Sequence, residues 1–308
     1  MKKILVIGSE GNIGKPLIKY LRRQHYETME VDITPGWRPG YLMGDITQPL
    51  DILPAFDWGP DTVLILSATV SRVTCEQAPT LAAATNLLGL TNILQLCKRS
   101  NTKTVFFSTS EVYGPECESM DESLSDPKPN NFYGLTKLLG EKLVEYEVRA
   151  HKLRAVALRP FMIFDEEEDL GDHRSAMIRF ATNLALNRPI EVHEGSARGW
   201  LHISDAVRAI EAAADTAEYS VINIGHPDVR PISELAELIR RRLSASPELV
   251  KVRQLPERMT SIKKPVLERM RTVLGVTPQV DFEEGVERVC SRIRHRLDAS
   301  GINLSRLQ

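Results

Sequence analysis

Ile4-Leu-Val-Ile7 leads straight into Gly8-Ser-Glu-Gly11-Asn-Ile-Gly14, and Lys15-Pro-Leu-Ile-Lys-Tyr-Leu-Arg-Arg23 follows. The unbroken apolar run predicts a strand buried on both faces. Leu17, Ile18 and Leu21 share one side of the next nine residues, which predicts a helix over 15–23. Three glycines spaced Gly-x-x-Gly-x-x-Gly lie between them and permit a tight turn with close backbone approach. Strand, glycine turn and helix together make the setting in which a pyrophosphate rests on a helix N-terminus, so the stretch reads as a dinucleotide-binding unit. The spacing differs from Gly-x-Gly-x-x-Gly, and a turn needing glycine only for packing would look alike.

Further elements extend the same pattern. A strand over 27–31 ends in Asp32, whose carboxylate falls where a ribose diol lies and would repel a 2′-phosphate. This favours NAD over NADP; a solvated strand-end aspartate is the alternative. Pro35–Gly44 is a loop, and Gly44-Asp45-Ile46-Thr47 a turn. A buried strand over 62–66 ends at Ser67-Ala68-Thr69, where small side chains let a cofactor cross the strand end. A long helix is predicted over 79–98. Asn86 interrupts its apolar side, either to tie down a loop or to touch the cofactor. A strand over 104–107 feeds Ser108-Thr109-Ser110-Glu111, and one over 155–158 feeds Arg159-Pro160-Phe161-Met162. Alternating apolar runs and helices predict an α/β fold with a doubly wound parallel sheet. Ligands in such sheets bind past the carboxyl ends of the strands, where Gly8, Asp32, Ala68, Thr109 and Arg159 all fall.

Tyr133-Gly-Leu-Thr-Lys137 adds chemistry. Residues four apart share a helix face, and a fixed ammonium would draw a phenol below its usual pKa of about 10. Thr109 and Glu111 would face the pair. Beyond Asp165 the character changes. The runs Glu166–Asp169 and Glu194–Arg198 read as loops, the first solvated, helices are predicted over 173–187, 204–215, 232–243 and 282–297, and short strands over 189–193 and 220–224. We therefore expect a dinucleotide-binding domain over 1–165, with some later segments returning to it, and a smaller α/β substrate lobe over 166–308.

The 39 basic and 41 acidic residues nearly cancel, which gives no support for a nucleic-acid partner. Cys75, Cys97, Cys117 and Cys290 lack the paired spacing of a metal or disulfide framework. The apolar start is too short for a secretion signal, and no run reads as a membrane span. A cytoplasmic protein without a metal is the expectation.

With these motifs in place, the chain resembles the extended short-chain dehydrogenase/reductases, in their NAD-dependent epimerase/dehydratase branch. The resemblance rests on Gly8–Gly14, Asp32, Asp45-Ile46, Ser108–Gly114, Tyr133-x-x-x-Lys137, Arg159-Pro160 and Arg198–Asp205. It implies tightly held NAD and a nucleotide-diphosphate sugar as substrate. Gly8, Gly11, Asn12, Ile13 and Gly14 would hold the pyrophosphate, Asp32 the ribose, and Asp45 with Ile46 the adenine. Ser67, Ala68, Thr69, Ser108 and Pro160 would complete the cofactor site. Tyr133 would be the base, Lys137 would bind the nicotinamide ribose, and Thr109 the reacting hydroxyl. Thr69, Ser110, Glu111, Met162 and Arg198 would meet substrate, Arg198 at its diphosphate. Ser110-Glu111 replaces the Asp-Glu pair of dTDP-glucose dehydratases and is similar to GDP-mannose dehydratases and UDP-glucuronate decarboxylases. Met162 stands where an asparagine is frequent. The reading this favours is a 4-keto sugar followed by elimination of water with Glu111 as base. Decarboxylation, 4-epimerisation and a non-catalytic dinucleotide sensor are the alternatives. The family also implies a homodimer through the helices at 79–98 and 132–150.

Overall fold

The computed structural model describes residues 1–115, 119–123, 126–169, 175–256 and 260–299. Cys117, and His173 at the start of one predicted helix, lie outside them. The strands are β1 (Lys3–Ile7), β2 (Glu27–Asp32), β3 (Tyr41–Met43), β4 (Thr62–Ile65), β5 (Lys103–Phe107), β6 (Ala155–Pro160), β7 (Met162–Phe164), β8 (Ile190–His193), β9 (Ala197–His202), β10 (Val221–Ile224), β11 (Val229–Pro231), β12 (Val250–Arg253) and β13 (Ile262–Lys263). Seven form one parallel sheet in the order β10-β6-β5-β4-β1-β2-β3. The order reverses between β1 and β4, so the connections from β1 and β4 diverge at their carboxyl ends and leave a crevice there.

The unbroken apolar runs follow from burial on both faces. Ile4 and Val6 enter the core on one side of the sheet, with Leu17, Leu21, Val105 and Leu158. Leu5 and Ile7 enter the core on the other, with Leu90, Ile93, Phe106 and Ala157. A third core, including Met177, Phe180, Trp200, Leu235 and Val289, belongs to the later helices and β8–β9. Strand β10 returns to the main sheet beside β6. Around the site, β9 pairs with β7, β11 and β13.

Two sequence readings need correction. Arg198, expected on a loop, lies within β9, and its Cα is the register partner of Lys263 on β13. The helical stretch Pro79–Ser100 is also long and apolar enough to cross a membrane, by length and composition alone. Its inner side chains Leu90, Ile93, Leu94, Leu96 and Cys97 instead pack into the sheet. That stretch is not a uniform α-helix. Ala84–Gly89 is a π-helical turn between Pro79–Ala83 and Leu90–Ser100.

Candidate active site

A cleft of about 1110 Å³ opens over the carboxyl ends of the central strands. At one end the glycine turn forms its floor. Gly8 has φ +94°, and a Cβ there would lie 2.6 Å from the Ser67 nitrogen; one on Gly14 would lie 2.3 Å from the Gly8 oxygen. These approaches exclude side chains, so backbone reaches the cleft directly. The helix Gly14–Arg23 begins with no side-chain cap and no acidic residue in its first turn. Its first N–H groups therefore suit a diphosphate. Asp32 ends β2 at the same place and accepts from the backbone N–H groups of Glu10 and Thr34, both at 2.9 Å. Asp45 and Ile46 line the wall, with Asn92 Nδ2 donating to the Ile46 carbonyl at 3.0 Å. This cradle fits NAD: bare amides for the pyrophosphate, a carboxylate for a ribose diol, and an apolar slot beside Ile46.

The middle of the cleft carries the small strand ends. Asn86, buried on the π turn, accepts from Thr69 N–H at 2.8 Å and donates to the Thr69 carbonyl at 3.1 Å and to Thr136 Oγ1 at 3.0 Å. It thus ties the loop after β4 to the Tyr133 helix, as π turns at functional sites often do. Of the two readings left open for Asn86, the loop tie is the one seen. Ser67, Ala68, Thr69, Ser108 and Pro160 all line this part. Ser108 Oγ donates to Glu141, which also receives Arg159 Nε at 2.9 Å and Nη2 at 2.7 Å. Arg159 is therefore a buried strut, its guanidinium 4.7 Å from the Tyr113 ring.

Tyr133 and Lys137 share the cleft with Thr109, Ser110 and Glu111. Asn131 joins the two elements. Its Oδ1 caps the helix Phe132–His151 by accepting from Gly134 N–H at 2.8 Å, and its Nδ2 donates to Glu111 Oε2 at 2.9 Å. A Cβ on Gly134 would lie 2.8 Å from the Glu111 carbonyl oxygen, so glycine permits that docking. Lys137 Nζ donates to the Phe107 carbonyl at 2.7 Å. Tyr133 and Thr109 line the cleft together.

The electrostatics differ from the sequence expectation. Burial pushes the Tyr133 phenol up, with Thr109 opposing and the Glu111 charge adding to the rise. Burial also brings Lys137 down to about 7. Desolvation therefore dominates the shifts of both groups in this cleft. Glu111 goes the other way. Burial would raise it, but Lys263 overrides burial and, with Arg72 and Asn131, holds it at about 2.

Lys263 was not apparent in the sequence. It is buried on β13, and its Nζ donates to Glu111 Oε1 and, at 3.3 Å, to Ser110 Oγ. Burial pulls the ammonium down and Glu111 supports it. A single Ser-Ile-Lys-Lys stretch in a polar region offers no motif by which to find it. Arg72, 4.0 Å from Glu111, and Arg179 line the cleft as well. Met162 lies on its wall.

Arg198 is the exception. It is buried, and its guanidinium donates to the carbonyls of Ala197 at 2.7 Å and of Thr260 and Ser261 at 2.6 Å. It does not line the cleft, because these carbonyls at the β9–β13 junction claim its donors. Burial lowers it to about 10. Its donors are thus turned away from the diphosphate expected there. Among the described residues, the cations that reach the cleft are Arg72, Arg179, Lys137 and Lys263.

A parallel sheet with a glycine cradle, a carboxylate at the end of β2 and a Tyr-x-x-x-Lys pair in one cleft defines a dinucleotide-dependent enzyme of the short-chain dehydrogenase/reductase type. The model of the NAD-dependent epimerase/dehydratase family matches residues 4–225, and the chain belongs to that family, as an NAD-dependent enzyme. It is similar to UDP-glucuronic acid decarboxylase 6 of Arabidopsis thaliana, 25% identical over 96% of this chain and 90% of the relative. It is also similar to the UDP-N-acetyl-alpha-D-glucosaminuronate decarboxylase of Bacillus cytotoxicus, 28% identical over 93% of this chain and 96% of the relative. The UDP-glucose 4-epimerase of Thermus thermophilus, solved with NAD, shares the fold with TM-score 0.84 and 23% identity, over 95% of this chain and 99% of that one.

Proposed function

We propose that the chain decarboxylates a UDP-linked hexuronic acid through a transient 4-keto sugar. The observation that carries this reading is the Lys263–Glu111 pair. A carboxylate held at about 2 is a weak base. Elimination of water needs a base to take the proton from carbon 5, and Glu111 was the candidate. Loss of carbon dioxide needs none there: the bond between carbon 5 and the carboxylate breaks, and its electron pair moves into the enolate of the 4-ketone. The similarity to two UDP-uronate decarboxylases supports the same choice.

Held by the glycine turn, Asp32 and the wall at Asp45 and Ile46, NAD would supply reversible hydride transfer at carbon 4. The chain's residues handle protons and position. Tyr133, once its own proton has passed to solvent, takes the 4-hydroxyl proton as the phenolate, with Thr109 beside it in the cleft, and gives it back in the final reduction. Lys137 sits one turn further along the helix, where a protonated amine stabilises the phenolate. After carbon dioxide has left, the Lys263 ammonium beside Glu111 and Ser110 gives carbon 5 its proton and is reprotonated from solvent. Lys263 and Arg72 set positive charge against the substrate's acid end.

Mass spectrometry of products from a panel of nucleotide sugars tests this. UDP-glucuronic acid or its N-acetyl relative should lose carbon dioxide. Loss of water from a neutral nucleotide sugar, or an epimer of unchanged mass, would replace the proposal with dehydration or epimerisation. The protein is further expected to pair with a second copy through the neighbouring helices at 79–100 and 132–151, which expose Leu81, Leu88, Leu135, Leu139 and Tyr146. Light scattering should give twice the mass of the chain.

A further inference from the structure

The glycine turn carries a carboxylate that NAD binding by itself does not call for. Glu10 lines the cleft. Its backbone N–H donates to Asp32 Oδ2 at 2.9 Å, so it stands next to the carboxylate assigned to the adenosine ribose. Its own carboxylate meets Arg38 Nη2 at 2.5 Å, with Lys15 Nζ farther off at 3.6 Å. Arg38 lies 4.1 Å from the centre of the Tyr41 ring. It also pairs with Glu30, a buried carboxylate that Arg22 Nη2 meets independently at 2.5 Å. Arg38 is thus held between two carboxylates, and one of these has a second arginine of its own.

An arginine beside the ribose is the group that accommodates a 2′-phosphate, through paired hydrogen bonds from its planar fork. Arg38 meets the cleft-lining Glu10 from outside the cleft, and its charge is engaged there. We propose that Glu10 is a cofactor-specificity residue: it holds Arg38 back from the ribose 2′ position and, with Asp32, sets two negative charges there, so that NAD is taken and NADP refused. Asp32 is then only half of the discrimination. Once Glu10 loses its charge, Arg38 keeps only Glu30, which Arg22 also neutralises, so a phosphate competes for its guanidinium more easily.

The full-length protein loaded with NADH reports the outcome by cofactor fluorescence, with NAD⁺ and NADP⁺ titrated as competitors and no sugar present. Glu10→Gln should improve the displacement midpoint of NADP⁺ relative to NAD⁺ by about tenfold or more, the scale of one new charge-assisted hydrogen bond together with the removal of one repulsion. Adding Arg38→Gln should remove most of that improvement. Should the double variant fail to fold, Arg38→Lys in its place keeps a charge beside Glu30 but loses the planar fork, and should also shrink the improvement. An NADP⁺/NAD⁺ ratio in Glu10→Gln within threefold of the parent overturns the proposal, as does an improvement that persists undiminished without Arg38.

Discussion

Replacing Lys263 with Met removes the ammonium and keeps most of the side-chain volume. Glu111 would then sit in a largely buried pocket with Asn131 and the more distant Arg72 as its remaining support. In the intact protein its pKa falls from 4.5 to about 2 despite burial, which corresponds to about 3 kcal/mol of folded-state preference for the carboxylate. Breaking a buried pair by removing one partner costs about 3–5 kcal/mol, so two independent routes give a similar size. Burial of Lys263 is itself unfavourable, which places the net loss at the lower end, about 3 kcal/mol at pH 7. The pH dependence has a definite sign. A depressed carboxylate contributes its stability above the unfolded value of 4.5 and loses it as pH falls toward 2. In the variant, burial raises Glu111 instead, so acid relieves rather than worsens the defect. Urea unfolding of parent and variant from neutral to mildly acidic pH should show the widest gap near pH 7 and a narrowing gap in acid. A gap below about 1 kcal/mol at pH 7, or one that widens in acid, would refute the reasoning.

Two further outcomes follow from the site. Tyr133→Phe should lower kcat by about 10²–10⁴-fold while the protein still retains NAD, read from turnover and from the dinucleotide released on denaturation. Glu141→Gln leaves the buried Arg159 without its bidentate partner; urea unfolding should show a loss of about 3–5 kcal/mol, and the variant should handle substrate poorly because Ser108 loses its anchor.

Much of this was legible in the chain because it depends on local pattern. Ile4–Ile7 reads as a doubly buried strand from its own four residues, and the glycine spacing and Tyr133-x-x-x-Lys137 are short-range features. Long-range partners were not legible. Lys263 meets Glu111 from 152 positions further along the chain, and Arg198 is diverted by carbonyls of residues 260 and 261 that no motif announces. The strands β3, β7, β11, β12 and β13 were missed because they are short and largely half-buried or exposed, with too few residues for a periodicity to show. The direction of the Tyr133 shift depended on how much water the fold removes, which spacing alone does not reveal.

The π turn at Ala84–Gly89 makes the helix one residue out of step with itself. An extra residue in one turn rotates everything beyond it by about a hundred degrees relative to a regular helix. Deleting any one residue of that turn would restore ordinary winding, yet Asn86 could then no longer face Thr69 while Leu90 and Ile93 kept their seats under the sheet. The irregularity lets a single helix obey two incompatible phases, one dictated by the core and one by the cleft. Shortening this helix by one residue should therefore be tolerated less well than lengthening an exposed loop by several.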